Sequence, residues 1–165
     1  MNKIYVLIGI PGSGKTTYAN NTLLEEHTNI VLISTDIVRN NNPTMEEANV
    51  FPEAYRLIAY NLKEGKDVVF DATNITRKVR DRLDENLKQY EVTYEKIAIF
   101  FPTKASKCSK RVAKRNTFEG ERYLPPEVTY SYEEKLEVPT LDEGFKEIIV
   151  IDNNKDLAEK YWRKK

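Results

Sequence analysis

Gly9-Ile10-Pro11-Gly12-Ser13-Gly14-Lys15-Thr16 fills every fixed position of the pattern G-x-x-x-x-G-K-T, a P-loop whose backbone N–H groups turn inward around phosphate oxygens. Before it, Lys3 to Ile8 is an apolar run of strand length. After it, Ala19, Leu23 and Leu24 give a helix starting at Lys15 one apolar side. The motif needs this strand, turn and helix: glycines permit the tight turn, and the helix N-terminus adds free donors and a favourable dipole. On this reading Gly9, Pro11, Gly12, Ser13, Gly14, Lys15, Thr16 and Thr17 form the nucleotide-binding set. Lys15 reaches the β- and γ-phosphates, and the Thr16 hydroxyl is placed to ligate Mg²⁺. A glycine-rich turn that binds nothing would not require all of these positions and flanks together.

Working outward, Ile30 to Ile33 is a second apolar run, ending at Ser34-Thr35-Asp36. Asn40 to Pro43 reads as a loop, and Thr44-x-x-Glu47 as a capping box for the next helix. Phe51, Ala54, Tyr55, Ile58, Ala59 and Leu62 give that helix its apolar side, and Gly65 ends it. Asp67 to Phe70 is a third strand, closing on Asp71-Ala72-Thr73-Asn74, and a charged helix follows from Thr76 to about Tyr90. Tyr94 to Phe101 is the fourth strand, followed by a helix from about Thr103 to Asn116. Residues 117–124 then read as a mobile, lid-like loop. A helix near Glu127 to Leu136, a fifth strand at Glu147 to Ile151 and a short terminal helix around Leu157 to Tyr161 complete the chain. Continuous apolar strands alternating with helices predict an α/β three-layer P-loop NTPase fold with a mainly parallel five-stranded sheet. Its sites lie beyond the carboxyl ends of the strands, where Gly9, Asp36 and Asp71 all fall.

With 165 residues, 40% of them hydrophobic, the chain suffices for one domain over residues 1–165. Its 26 basic and 26 acidic residues cancel, so bulk charge selects neither nucleic acid nor membrane. The single cysteine, Cys108, excludes an intrachain disulfide and fits a reducing compartment. No apolar run nears the roughly 20 residues of a membrane span, and the N-terminus enters a strand without a secretory signal. A cytoplasmic protein with no membrane partner is the expectation.

Three clusters carry candidate chemistry. Asp36 and Arg39 form an Asp-x-x-Arg unit, with i and i+3 on one helix face. The carboxylate suits proton acceptance from an attacking hydroxyl. The guanidinium suits a planar two-point grip on an acceptor phosphate or on Asp36 itself. A helix cap with a solvent-facing arginine is the plainer alternative. Asp71 stands where such sheets place an acid for Mg²⁺ or substrate, with Thr73 and Asn74 as ligands or, together with Thr76, as helix caps. The third cluster comprises Lys104, Lys107, Lys110, Arg111, Lys114 and Arg115, with no acid among them. Ala105, Cys108 and Val112 mark the packed side of this helix. Lys107, Arg111, Lys114 and Arg115 are expected to share the other, either as a field for a transferring phosphoryl group or as a solvated face. Arg122 is a further candidate. Asn153 and Asn154 suit either a base contact or a turn, His27 an exposed surface, and most of the ten tyrosines amphipathic packing.

Together these stretches resemble the 5′-hydroxyl polynucleotide kinase domain of phage and bacterial repair enzymes, within the small P-loop kinases. The resemblance implies ATP and Mg²⁺, held through Lys15, Thr16 and Asp71. It also implies that Asp36 is the general base toward a 5′-hydroxyl and that Arg39 contacts the acceptor's 3′-phosphate. Asp71-Ala72-Thr73-Asn74 carries one alanine more than the family's Asp-Thr-Asn, so Asp71 alone transfers directly. Arg115 corresponds to the arginine clamping donor phosphates, and Arg122 to the lid region. The expected activity is ATP-dependent phosphoryl transfer to a hydroxyl of a DNA or RNA 5′ end. The alternatives are a small-molecule alcohol (a nucleoside, a sugar or a related metabolite) as acceptor, and a nucleotide hydrolase or switch.

Overall fold

The computed structural model describes residues 1–118 and 123–151. The terminal helix expected near Leu157 lies outside these residues, as do Asn153, Asn154 and Arg122. Five strands, β1 (Lys3–Ile8), β2 (Ile30–Ser34), β3 (Asp67–Asp71), β4 (Glu95–Phe100) and β5 (Phe145–Val150), form one sheet in the order β2-β3-β1-β4-β5. All four pairings are parallel, so the sheet is more uniform than the mainly parallel expectation.

Alternation along β1 divides the interior into two layers. Ile4, Val6 and Ile8 enter one cluster with Ala54, Ile58, Phe70, Leu83 and Leu87, while Tyr5 and Leu7 enter another with Ala19, Leu23, Val69, Ile99 and Phe101. Helices α1 (Lys15–Tyr18), α2 (Leu24–Glu26), α3 (Thr35–Asn41), α4 (Val50–Lys63), α5 (Arg77–Leu87), α6 (Ala105–Arg115) and α7 (Val128–Lys135) complete the frame. Among the described residues, no helix is long and apolar enough to cross a membrane.

Three local expectations fail for physical reasons. The helix after the P-loop widens into a π-helical turn, Ala19–Leu23, which spans Asn20, Asn21 and Thr22, residues of weak helix propensity. The Thr44 capping box does not form. A 3₁₀ turn, Glu47–Asn49, leads into α4, whose cap residue Asn49 makes no side-chain cap bond, and the Glu47 carboxylate is taken by Arg39. His27 is half-buried rather than exposed, with its ring edge-on to Tyr5 at 5.7 Å and Nδ1 2.9 Å from the Leu23 carbonyl. Among the tyrosines, Tyr60, Tyr123 and Tyr130 are exposed. Gly65 behaves as expected: it adopts φ 79° and donates to the Leu62 carbonyl at 3.0 Å, ending α4.

Candidate active site

The register of the sheet assembles the site. Asp71 pairs with Leu7 of β1 on one side and Ser34 of β2 on the other. The residues that follow these strand ends therefore emerge together at one edge: Gly9 with the P-loop, Ala72 and Thr73, and Thr35 with Asp36. They surround a cleft of about 790 Å³, lined by Pro11 to Tyr18, Asp36, Arg39, Asp71, Thr73, Arg111 and Arg115, among others.

Glycine is required at two loop positions, at Gly9 by contact and at Gly12 by contact and conformation. A Cβ on Gly9 would lie 2.5 Å from the Ser13 Oγ and 3.1 Å from the Phe101 Cβ. Gly12 has φ +82°, and its Cβ would come within 2.8 Å of the Cys108 carbonyl oxygen. The loop is thus clamped under α6, and the Arg111 Nη1 donates to the Gly12 carbonyl at 3.1 Å. Gly9 itself donates to the Thr73 carbonyl at 3.0 Å, tying the loop to the end of β3.

Lys15 is buried and donates to the Ile10 carbonyl at 3.0 Å. Burial lowers its pKa, and the nearby Asp71 opposes that shift. The Thr16 hydroxyl donates to the Asp71 Oδ2 at 2.8 Å. Burial raises the Asp71 carboxyl above its ordinary range, against the pull of Lys15 and of the Thr16 hydrogen bond. A hydroxyl beside a carboxylate fits Mg²⁺, which is commonly held by one or two protein oxygens together with phosphates and waters. Thr16 and Asp71 would hold it. When bound, the ion supplies charge neutralisation across the phosphates.

The raised Asp71 pKa fixes the sign of a pH effect. The folded protein holds this proton more tightly than the unfolded chain. The associated stability is therefore full below the ordinary carboxylate range and is lost as pH rises through the raised value. Asp71→Asn removes this titration. The expected result is that wild-type stability minus that of the variant falls as pH rises from about 4 toward about 8. Thermal unfolding of both proteins without nucleotide checks it, and a flat or rising difference contradicts it.

Asp36 opens α3, but Ser34 is the residue that caps it, accepting from the Ile37 N–H at 3.3 Å. The Asp36 side chain is 66% exposed and accepts from the Arg39 Nη1 at 2.8 Å. The two-point grip of Arg39 goes to Glu47, through Nε at 3.0 Å and Nη2 at 2.6 Å to Oε1, a partner the sequence did not reveal. Thr73 lines the cleft. Asn74 does not join it: buried, with φ 49°, it donates to the carbonyls of Leu7 at 2.9 Å and Ala72 at 3.3 Å. Its amide ties the end of β1 to the residue after β3. Thr76 is the cap of α5, accepting from the Val79 N–H.

Only Arg111 and Arg115 of the six cations on the α6 segment line the cleft, while Lys104, Lys107, Lys110 and Lys114 are exposed. At 100° per residue the two arginines border the Cys108–Val112 stripe, and Lys107, Lys110 and Lys114 lie behind it. The expected common face is therefore split. The Arg115 Nε is buried with no hydrogen-bond partner among the described residues. The part of residues 117–124 that is described begins and ends on one clasp, in which the Asn116 side chain donates to the Leu124 carbonyl at 2.7 Å and accepts its N–H at 3.0 Å.

Comparison with known proteins shows likeness to parts of larger proteins. The chain is 28% identical over 156 residues to the Arabidopsis thaliana protein named transcription factor bHLH140, covering 93% of this chain and 16% of that protein. It is 26% identical over 148 residues to the bifunctional polynucleotide phosphatase/kinase of Schizosaccharomyces pombe, covering 87% of this chain and 32% of that protein. The chain thus spans less than a third of the length of these curated relatives. A chain of the Pnkp1/Rnl/Hen1 RNA repair complex superposes with a TM-score of 0.68 at 23% identity, covering 82% of this chain and 44% of that one, a likeness of fold. A family model described as AAA domain matches residues 4–139, and the chain belongs to that family.

Proposed function

We propose that this domain is an ATP-dependent kinase that phosphorylates a hydroxyl group, the 5′-hydroxyl of a DNA or RNA end. The observation that carries the reading is one cleft with the P-loop as its floor and Asp36, exposed and bonded to Arg39, on its wall. The P-loop N–H groups, Lys15 and Thr16 hold the triphosphate. Asp36 takes the acceptor proton as the hydroxyl oxygen bonds to the γ-phosphorus. The bond from that phosphorus to the β–γ bridging oxygen breaks, and its electron pair leaves on ADP. Arg115, with Arg111 beside it, offsets the charge on the moving group, and Arg39 holds an acceptor phosphate by exchanging carboxylate partners for it. The name of the fission-yeast relative supports a polynucleotide acceptor.

The balance of 26 basic against 26 acidic residues favours a second acceptor, a small-molecule alcohol. Even so, gripping one terminal nucleotide needs few phosphate contacts. Competition between 5′-hydroxyl oligonucleotides and a panel of nucleosides, sugars and related metabolites, with labelled ATP, separates the two. The expected result is label on the oligonucleotide, with an efficiency that falls as salt rises. Label on a metabolite alone, with shallow salt dependence, overturns the polynucleotide reading.

A further inference from the structure

The apolar side of α4 behaves as its periodicity predicts for Ala54, Tyr55, Ile58, Ala59 and Leu62, all of which are buried. Phe51, in the first turn of the same helix, is the exception. It is half-buried and borders the cleft. Its ring is fixed from the core side by Tyr55, at 6.0 Å between centroids, and by Phe70, edge-on at 6.4 Å. The 3₁₀ turn that delivers α4 carries Glu47, the carboxylate that grips Arg39, four residues before Phe51. The ring and the guanidinium are thus held in one frame. Around them the wall offers Thr35, Asp36, Arg39, Asp71, Ala72 and Thr73, and the other aromatic side chains lining the cleft are Tyr132 and the pair Tyr18 and Phe101, which pack edge-on against each other.

We infer that Phe51 is the platform for a flat ring carried by the acceptor, and that the acceptor is a base-bearing nucleotide end rather than a sugar or polyol. This rests on the phosphoryl-transfer reading given above. An acceptor that places its hydroxyl at Asp36 and an anionic group at Arg39 spans those residues with a furanose, from which a base projects toward the remaining wall. A fixed aromatic face there gains from stacking on any base, because every base has a π-face. A hexose or linear polyol satisfies Asp36 but leaves that face wet.

The test compares two oligonucleotides with the same 5′-hydroxyl and the same first phosphate, one with an ordinary terminal nucleotide and one with a tetrahydrofuran abasic residue there. The wild-type protein is expected to use the abasic end about tenfold less efficiently, chiefly through KM. Phe51→Ala is expected to bring the two substrates close to equality. Phe51→Leu, which keeps apolar bulk against Tyr55 and Phe70, is expected to lose the preference as well, and Phe51→Trp to keep it. Affinity for a fluorescent ATP analogue should be unchanged in all three. Equal wild-type use of both ends overturns the inference and leaves the kinase reading standing, as does a full preference retained by folded Phe51→Ala or Phe51→Leu. Failure to label either oligonucleotide overturns both.

Discussion

Asp36→Asn is expected to slow single-turnover phosphoryl transfer about 10²- to 10⁴-fold, while nucleotide affinity stays within about twofold. The substitution is nearly isosteric, and the asparagine carbonyl can still accept from the Arg39 Nη1, which donates to Asp36 at 2.8 Å. Ser34 caps α3, so the helix start does not depend on residue 36. In the proposed mechanism this removes the group that accepts the proton. The proposed triphosphate contacts lie on the P-loop, Thr16 and the α6 arginines, so binding is expected to persist. Single-turnover rates and titration with a fluorescent ATP analogue check both halves. Equal losses in affinity and rate would remove Asp36 from the role of base.

The second large effect concerns stability. The side chains of Arg80 and Glu143 are each 1% exposed and joined by two hydrogen bonds, Nε to Oε1 at 2.6 Å and Nη2 to Oε2 at 3.1 Å. Burial pushes the Glu143 carboxyl up, but Arg80 and the Thr140 N–H outweigh it and hold the group below its usual value. The Arg80 Nη1 also donates to the Asn74 carbonyl at 2.9 Å, and the Asn74 amide holds Leu7. Removing one partner leaves an uncompensated buried charge. Arg80→Met is therefore expected to cost about 3–5 kcal/mol, a large fraction of the roughly 5–15 kcal/mol that stabilises a typical domain. Arg80→Met combined with Glu143→Leu should recover part of that loss, because it removes both charges together. Urea unfolding of the three proteins measures it. A single variant within about 0.5 kcal/mol of wild type would show the pair to be dispensable.

Local signals made much of this molecule legible in advance. Four of the five strands are built on a short, continuous apolar run, β5 being interrupted by Lys146 and Glu147, and the P-loop, Asp36 and Asp71 sit at the ends of three of them, so the sheet and the floor of the site followed from residues close in sequence. What stayed hidden depends on contacts between distant residues. Asn74 looked like a ligand because its partners, Leu7 and Arg80, are supplied by β1 and α5. Glu143 reaches Arg80 across 63 residues. Phe51 shares the helical period of the core residues after it, and the period does not tell which end of α4 reaches the cleft. From Lys104 to Arg115, six cations with no acid among them concealed that only the two bordering the packed stripe line the cleft.

In the proposed reaction the γ-phosphoryl group passes to an alcohol rather than to water. Incubating the protein with γ-labelled ATP, with and without a 5′-hydroxyl oligonucleotide, and following the label measures this directly. Label is expected to accumulate on the oligonucleotide 5′ end, and release of inorganic phosphate is expected to be slow without it. Phosphate released at the same rate with or without an acceptor, and no labelled alcohol, would contradict it.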